Sequence, residues 1–338
     1  MNTVSIIIPC RNEEKYIGRC LDSLLANDYP NEALEIVVVD GMSTDRTRGI
    51  VDEYCKEYAF IKMTDNPWHI KPKALNIGIE STKSDVVMRI DAHAVYAKDY
   101  ISKLVQGLFQ YNADNIGCVR ETYTDGTYKA KAIAIAISHP FSVGDAYWRT
   151  GIKRDIRKVD TVFCGCYRRD VFDRIGLFNE QLIRTQDKEF NARLVQAEGK
   201  IILDPSVRCT YFPRTSLIDY IKWNFTGANW LFDARRFTNI RMTSWRNYVP
   251  LAFLFYSLFF LVTLFSTIQN QIKIITAIPL LVYLFLSLWF SVEIAFKKKN
   301  LLYMPLLFLI FPATHYSYAV GSLYGIIKAG VLGKDVDM

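Results

Sequence analysis

The chain has 338 residues and a formal net charge of +7, which we assign to a soluble part and its membrane-facing edge. Its length exceeds the size of a usual single domain, so we expect one large domain with an additional region. Its seven cysteines are odd in number and scattered, which excludes a disulfide framework and predicts reduced thiols, and no nucleic-acid partner is expected.

Three apolar segments near the start of the chain are rich in valine and isoleucine and alternate with segments of helical spacing. They are VSIIIPC (4–10), LEIVVVD (34–40) and DVVMRID (85–91). Such near-continuous β-branched runs, each followed by an amphipathic helix, are typical of parallel strands buried on both faces. The sequence therefore predicts an α/β nucleotide-binding domain with a mainly parallel sheet.

Each of these strands ends in polar residues. The polar groups are Pro9 to Glu13, Asp40 to Asp45, and Asp91 to His93. In open α/β sheets, ligands bind beyond the carboxyl ends of the strands, so we expect these groups to meet at one ligand edge. The sequence contains no G-x-G-x-x-G or P-loop motif, which argues against a dinucleotide dehydrogenase and a P-loop NTPase.

Asp91 and His93 are two positions apart. In an extended chain their side chains share a face, with Cβ atoms about 6.5 to 7 Å apart, so one divalent ion could contact both. A carboxylate with an imidazole suits Mn²⁺, whereas an all-oxygen pair favours Mg²⁺ or Ca²⁺. A strand end that carries two polar residues without binding an ion is the alternative, and these residues alone leave it open.

Asp40 also has two possible roles. It could cap a helix that begins near Ser43, because aspartate is a favoured N-cap residue. Gly41 would allow a tight turn, and Asp45 could then provide the cap. In that case Asp40 would face the cleft.

Beyond about residue 246 the sequence turns into long uncharged stretches. Residues 248–268 contain no charge and reach the roughly 20 residues needed to cross a hydrocarbon core. Residues 274–296 contain one acid near their end, and residues 300–327 are interrupted by two prolines. We predict two membrane spans, and the third stretch could span, break or re-enter.

Basic residues beside these spans predict their orientation. They are Arg235, Arg236, Arg241, Arg246, Lys297, Lys298 and Lys299. Short loops rich in lysine and arginine stay in the cytoplasm, so the large domain is predicted on the cytoplasmic side of the plasma membrane. The apolar run at the start of the sequence is too short for a signal peptide.

A segment of helical spacing precedes the first span. Its apolar positions are Leu217, Ile221, Phe225, Ala228 and Phe232. This pattern predicts a helix in the membrane interface, and packing on the soluble domain is the alternative. The predicted boundaries are a catalytic domain at 1–212, an interfacial segment at 213–246, a membrane domain at 247–329 and a tail at 330–338.

Four ordered motifs give the chain a specific resemblance. They are SIIIPCRNEEKYIGRCLDSL, IVVVDGMSTDRT, KPKALNIGIESTKSDVVMRIDAH and GLFNEQLIRTQDKEFNARL. Together they resemble the inverting glycosyltransferases of family 2, which have the GT-A fold, over roughly residues 3 to 212. VDGMSTDRT with DAH is similar to the succinoglycan-biosynthesis branch of membrane-attached sugar transferases.

The resemblance implies roles for individual residues. Asp91 and His93 occupy the place of the family's Asp-x-Asp metal motif, and the histidine favours Mn²⁺ over Mg²⁺. Asp187 matches the catalytic base, and an acid at the solvated start of a helix is the alternative. The nucleotide-sugar pocket is expected at Pro9, Arg11, Glu13, Asp40, Lys73, Asn76 and Asp91.

The expected activity is a hexosyl transfer, with inversion, from a nucleotide diphosphate sugar, a UDP-sugar, to a hydroxyl of a polyprenyl-diphosphate-linked saccharide. The protein is expected to contact membrane lipid. Arg214 could bind the lipid diphosphate or anionic headgroups. Two alternatives stay open. One is a polyprenyl-phosphate sugar synthase, in which the lipid phosphate is the nucleophile, and the other is a non-catalytic protein that binds a nucleotide sugar.

Overall fold

The structure is a computed structural model that describes residues 1–152, 154–213 and 215–333. The chain forms two compact units. The first contains Met1–Glu121 and Ala146–Phe212, and the second contains Thr122–Asp145 and the chain from Pro213 onward.

The first unit is built on one sheet of nine strands within the described residues. The strands are β1 (Val4–Cys10), β2 (Leu34–Asp40), β3 (Ile61–Asp65), β4 (Val86–Arg89), β5 (Ala94–Tyr96), β6 (Asn115–Thr122), β7 (Arg157–Lys158), β8 (Phe163–Arg168) and β9 (Ile201–Tyr211). Their order is β3-β2-β1-β4-β8-β6-β9-β5, and β7 pairs with β9.

The helices complete both units. They are α1 (Ile17–Leu25), α2 (Thr47–Glu57), α3 (Lys71–Glu80), α4 (Tyr100–Gln110), α5 (Tyr128–Ser138), α6 (Pro140–Val143), α7 (Tyr147–Thr150), α8 (Asp170–Ile175), α9 (Gln186–Gln196), α10 (Leu217–Asp233), α11 (Val249–Phe265), α12 (Asn270–Lys297) and α13 (Tyr303–Leu332). Helices α5, α6 and α10 to α13 belong to the second unit.

The sheet changes from parallel to antiparallel pairing at β4. Strands β1 to β4 pair in parallel, as predicted for β1, β2 and β4. The register aligns the last residues of β1, β2 and β3, which are Cys10, Asp40 and Asp65. Strand β8 is antiparallel to β4 and β6, and β5 and β7 are antiparallel to β9. The α/β class is confirmed, whereas the antiparallel half was not foreseen because β6 and β8 contain glycine and cysteine in place of continuous β-branched runs.

Alternation along the parallel strands buries both faces of the sheet. Ile6 and Ile8 of β1 lie in one core with Leu21 of α1. Ile7 lies in the core of the opposite face with Leu75 of α3. Because nearly every side chain of β1 is buried in one of these cores, the polar residues that follow β1 are the ones left to reach the ligand edge.

The unit boundary differs from the predicted domain in one segment. Thr122–Asp145, which includes α5 and α6, belongs to the second unit, although it lies inside the predicted domain 1–212. Ile133 and Ile137 of α5 share a core with Leu307 and Phe311 of α13. The sequence AIAIAI in α5 alternates with period two and contains small residues, so it gives no helical pattern from which this position could be predicted.

In the described part of the chain, three helices are long and apolar enough to cross a membrane: Trp245–Phe265, Asn270–Lys297 and Tyr303–Leu332. They overlap the three hydrophobic stretches identified in the sequence. The last is one continuous helix that contains Pro312, so the structure shows no break in the third stretch.

Helix α10 follows its predicted helical spacing and packs along α13. The Tyr220 hydroxyl lies 2.9 Å from that of Thr314, and the Asn224 amide donates to the Thr314 carbonyl at 2.6 Å. Two glycines of α13 allow the backbones to approach. A Cβ on Gly321 would lie 2.3 Å from the Phe225 carbonyl oxygen, and one on Gly325 would lie 2.4 Å from that of Asn229.

Because α10 packs closely on α13, we expect a methyl group at Gly325 to lower the stability of the protein. Gly325→Ala places its Cβ against backbone and should destabilise the protein by about 1 to 3 kcal/mol. Gly330→Ala, in the same helix with open space around it, should keep or raise the melting temperature because alanine favours helix. Thermal unfolding of both variants in detergent measures the difference, and equal melting temperatures would contradict the packing.

Candidate functional site

The loops after β1 and β2 are joined by hydrogen bonds at the ligand edge. The Asn12 amide donates to Ser43 Oγ at 2.9 Å, and the Glu13 amide donates to Thr47 Oγ1 at 2.8 Å. In return the Thr44 amide donates to Asn12 Oδ1 at 2.8 Å. Asn12 has φ of 55°, a conformation that asparagine adopts more readily than most residues. The two loops therefore form one connected surface.

Glu13 links this surface to the predicted metal motif. Its Oε1 lies 3.1 Å from Nδ1 of His93. The His93 ring also packs edge-on against Tyr211, with ring centroids 5.0 Å apart. Of the other predicted pocket residues here, Pro9 is half-buried in β1 and Arg11 is exposed. Glu13 is the one that the structure brings to His93.

Asp40 does not face an open cleft, which is the second of the two roles that the sequence left open for it. It is fully buried, and it accepts hydrogen bonds from the Ser43 amide at 2.9 Å and the Ser43 hydroxyl at 2.5 Å. Arg48 contacts Asp40 at 2.7 Å and Asp65 at 2.7 Å through the same Nη1 atom. Asp40 therefore shapes its own loop. Asp65, which is 51% exposed, is the carboxylate that reaches solvent.

Sequence reasoning missed Arg48 and Asp65. Strand β3 reads IKMTD, which lacks the apolar run that marked the other strands. The register pairs Asp65 with Asp40, so these acids end neighbouring strands. An acid shortly after a weak apolar segment was the signal that could have identified Asp65.

Lys73 and Asn76 contact protein groups rather than an open ligand surface. Lys73 Nζ lies 2.8 Å from Oε2 of Glu180. Asn76 is 4% exposed and donates to the Phe178 carbonyl and to Glu180 Oε1, both at 2.9 Å. Burial would raise the pKa of Glu180, but the hydrogen bonds from Lys73 and Asn76 outweigh it and lower the pKa. In the structure Asn76 therefore holds the chain near Phe178, and its contact with a ligand stays a prediction.

Asp91 is buried among positive charges. Lys71 Nζ donates to its Oδ1 at 2.6 Å, and Arg89 Nη2 donates to the same oxygen at 3.0 Å. Burial would raise the pKa of Asp91, but the charges of Arg89 and Lys71 hold it well below its usual range. Asp91 and His93 lie in the connection between β4 and β5, not within a strand, so the extended geometry assumed for them was wrong.

Arg89 brings the two predicted carboxylates together. Its Nη2 lies 3.0 Å from Asp91 Oδ1 and 3.1 Å from Asp187 Oδ2. Burial would lower the pKa of Arg89, but the charges of Asp187 and Asp91 outweigh it and raise the pKa. Arginine is almost never buried unless it is paired, so an arginine within the apolar run VVMRI was a signal that the sequence offered.

Asp187 lies in the first turn of α9, and one of its carboxylate oxygens is buried without a partner among the described residues. Thr185, directly before the helix, has φ of 65° and turns the chain into α9. Oδ2 of Asp187 meets Arg89, whereas Oδ1 is buried and forms no hydrogen bond with any described residue. The structure thus places a carboxylate with one acceptor atom available next to Asp91.

The described residues contain no cluster of three or more histidine, cysteine, aspartate or glutamate side chains that could hold a metal ion. Asp91 and His93 are the pair to which the metal was assigned, and Glu13 contacts one of them. Arg214, which was predicted to meet lipid phosphate, lies outside the described residues.

Comparison with known proteins decides the family. Residues 5–176, half of the chain, match the family model described as Glycosyl transferase family 2. The chain belongs to glycosyl transferase family 2.

Two curated relatives share lipid-linked or polysaccharide chemistry in their names. A dolichyl N-acetyl-alpha-D-glucosaminyl phosphate 3-beta-D-2,3-diacetamido-2,3-dideoxy-beta-D-glucuronosyltransferase from Methanococcus voltae is 28% identical over 97% of this chain and 98% of its own. The succinoglycan biosynthesis protein ExoA of Rhizobium meliloti is 30% identical over 66% of each chain. The glycosyltransferase is therefore related to proteins of lipid-linked glycan synthesis and of succinoglycan synthesis.

Solved structures show the same fold. The mannosyltransferase PcManGT from Pyrobaculum calidifontis, in complex with GDP-Man and Mn²⁺, superposes with a TM-score of 0.66 at 18% identity, over 96% of this chain and 87% of its own. TarS residues 1–349 of S. aureus, in complex with UDP-GlcNAc, give a TM-score of 0.50 at 19% identity, over 68% and 66%. The predicted GT-A fold with C-terminal helices is confirmed.

Proposed function

We propose that this family 2 glycosyltransferase moves a hexose, with inversion, from a UDP-sugar to a hydroxyl of a polyprenyl-diphosphate-linked saccharide in cell-surface or exopolysaccharide assembly. One observation carries the proposal. Arg89 holds Asp91, the donor-side carboxylate, and Asp187, the carboxylate proposed as base, on a single guanidinium nitrogen. Inverting transfer needs both a charged leaving group and an activated hydroxyl within one site.

Asp187 would act as the general base. Its free Oδ1 accepts the proton of the acceptor hydroxyl, whose oxygen bonds to the anomeric carbon while the bond to the diphosphate oxygen breaks. The nucleoside diphosphate leaves with the bonding electrons, and one displacement inverts the anomeric centre. Arg89 fixes Oδ2, so the carboxylate is oriented before the acceptor binds.

The residues at the metal motif fit a divalent ion. A histidine that ligates a metal usually donates its other ring N–H to a carboxylate. Nδ1 of His93 lies against the Glu13 carboxylate in this way, so Nε2 would be the nitrogen that ligates the ion. Asp91 uses Oδ1 for Lys71 and Arg89, and its Oδ2 forms no hydrogen bond with described residues. The mixed nitrogen and oxygen donors favour Mn²⁺ over Mg²⁺. When bound, the ion would neutralise charge on the leaving diphosphate.

The nucleotide would bind along the connected loops of β1 and β2, near Pro9, Arg11 and Glu13. Asp65 is better suited than Asp40 to contact the base, because it is half-exposed and Asp40 is completely buried. Asp40 would act through Arg48, whose guanidinium it shares with Asp65.

We place the acceptor in a membrane. Three helices have the length and apolarity to cross a bilayer, and side chains such as Val262 and Phe265 are largely exposed, as lipid-facing residues would be. The name of the Methanococcus voltae relative describes a dolichyl-linked sugar phosphate as its acceptor. The basic residues before α11 and after α12 would keep the first unit on the cytoplasmic side of the plasma membrane.

Metal removal tests the role of Asp91 and His93. Protein stripped with chelator should lose transfer and recover it with Mn²⁺ more fully than with Mg²⁺. His93→Asn replaces nitrogen by oxygen, so the ratio of Mg²⁺-supported to Mn²⁺-supported rate should rise. His69→Asn, at an exposed histidine outside the pair, should keep the wild-type ratio. Full activity after chelation would exclude the proposed ion.

Asp187→Asn tests the base. The variant keeps an oxygen for Arg89 but loses the charge that takes the proton, so transfer should fall by about 10² to 10⁴. Donor affinity, measured by calorimetry, should survive. Asp173→Asn, at an exposed position of α8, should transfer normally. Near-normal transfer by Asp187→Asn to a lipid phosphate would instead identify a polyprenyl-phosphate sugar synthase, and joint loss of donor affinity and transfer would make Asp187 a binding or structural residue.

Protease accessibility tests the membrane arrangement. The protein should stay in the membrane fraction after carbonate washing, because the three apolar helices would be embedded. Protease added to intact spheroplasts should spare residues 1–212 and should cleave them after permeabilisation. Digestion of this region from outside would overturn the proposed sidedness.

A further inference from the structure

The first unit contains a buried arginine whose hydrogen-bonding capacity is largely unused. Arg120 lies in β6 and is 3% exposed. Its Nε and Nη2 atoms are buried and have no hydrogen-bond partner among the described residues. A guanidinium stays charged at any physiological pH, and a buried charge without a counter-ion is costly. The described residues do not supply the group that these donors need.

Other arginines in the same unit show how a purely structural guanidinium is satisfied. Arg169 donates to the Ser84 and Ile79 carbonyls, both at 2.9 Å. Arg193 contacts the Glu189 carboxylate at 2.8 Å. Arg120 has neither carbonyls nor a carboxylate in these positions, so it does not follow the pattern of its neighbours.

Aromatic rings surround Arg120 in place of hydrogen-bond acceptors. The guanidinium carbon lies 4.2 Å from the ring centroid of Tyr211, 5.1 Å from that of Trp148 and 5.4 Å from that of Phe163. The Trp148 and Phe163 rings are stacked at 5.8 Å. Such rings stabilise a cation and hold the guanidinium in place, but they leave its in-plane N–H groups free to bind an anion.

This aromatic cage, formed by Tyr211, Trp148 and Phe163, lies beside the proposed donor site. The Tyr211 ring contacts both Arg120 and the ring of His93. Burial lowers the pKa of Arg120, and the charge of Asp91 is among those that act against this effect. A second cation, Arg149, stacks on Trp148 at 4.6 Å. Two positive charges, Arg120 and Arg149, therefore lie against the cage, and the Tyr211 ring lies between Arg120 and His93 of the metal motif.

We propose that Arg120 and its aromatic cage bind a phosphoryl group of a substrate, and that this group is the lipid-linked phosphate of the acceptor. The fork of N–H groups on a guanidinium matches phosphoryl oxygens in two parallel hydrogen bonds. The ion proposed at Asp91 and His93 would already serve the donor diphosphate, so the acceptor supplies the second anion. This choice of source rests on the proposed function, whereas the anion site itself does not.

Binding to full-length protein in detergent tests the proposal without requiring transfer. Quenching of tryptophan fluorescence is a suitable signal because Trp148 belongs to the cage. The probes are farnesyl diphosphate, uncharged farnesol, and UDP with Mn²⁺. Arg120→Met should weaken binding of farnesyl diphosphate by about tenfold or more, as expected for lost hydrogen bonds to a charged group. Arg120→Lys should weaken it less, and farnesol and UDP should bind as in wild type.

Arg208→Met is the matched control. Arg208 lies in β9, is half-exposed and pairs with Glu121, the residue that follows Arg120. The Arg208→Met variant removes one positive charge close to the cage, in the same strand as Tyr211. Unchanged binding of farnesyl diphosphate by this variant would therefore exclude a general effect of net charge. The melting temperature of Arg120→Met should equal or exceed that of wild type, because an unpaired buried charge is removed.

The possible outcomes separate the sources of the anion. Loss of UDP affinity with farnesyl diphosphate affinity intact would assign the site to the donor diphosphate and overturn the choice of acceptor. Wild-type affinity of Arg120→Met for both probes would overturn the anion site, as would failure of both Arg120 variants to fold. A wild-type protein that binds farnesyl diphosphate through Arg120 but transfers no sugar would refute the proposed function alone.

Discussion

One guanidinium nitrogen of Arg89, shared between Asp91 and Asp187, is the contact on which the candidate site depends. Two carboxylates this close to one buried cation are held in fixed positions, and neither could be removed without leaving charge uncompensated. The arrangement also couples them. A change in the charge around Asp91 alters how strongly Arg89 attracts Asp187, and by thermodynamic reciprocity the reverse holds too.

The features that could be predicted from the sequence are those with local, periodic causes. The three β-branched runs predicted β1, β2 and β4, three of the four strands of the parallel half of the sheet, because burial on both faces requires nearly every residue of a strand to be apolar. The long uncharged stretches predicted two membrane spans and left the third stretch open, and the structure has a helix with the length and composition of a span at each of the three. Likewise, the polar residues after the strands occur where the strands end at one edge.

The features that could not be predicted depend on which groups meet across long sequence distances. The sequence left open whether Asp40 faces a cleft, and in the structure Arg48 and Ser43 enclose it. Asn76 was expected to hold a ligand, but it holds the chain near Phe178, 102 residues away. The place of a polar residue in a sequence motif indicates that the residue has a role. Its contacts in the folded chain determine whether it binds a ligand or shapes the loop around one.

The path of the chain between the two units has a consequence for separating them. The chain leaves the first unit after Glu121, returns at Ala146 and leaves again after Phe212. Cutting the protein at residue 212 would therefore not release the sheet as a water-soluble fragment. Helix α5 would remain attached without α13, and Ile133 and Ile137, now buried against that helix, would face water. A soluble enzyme fragment would need a short polar bridge in place of residues 122–145 as well as the C-terminal truncation.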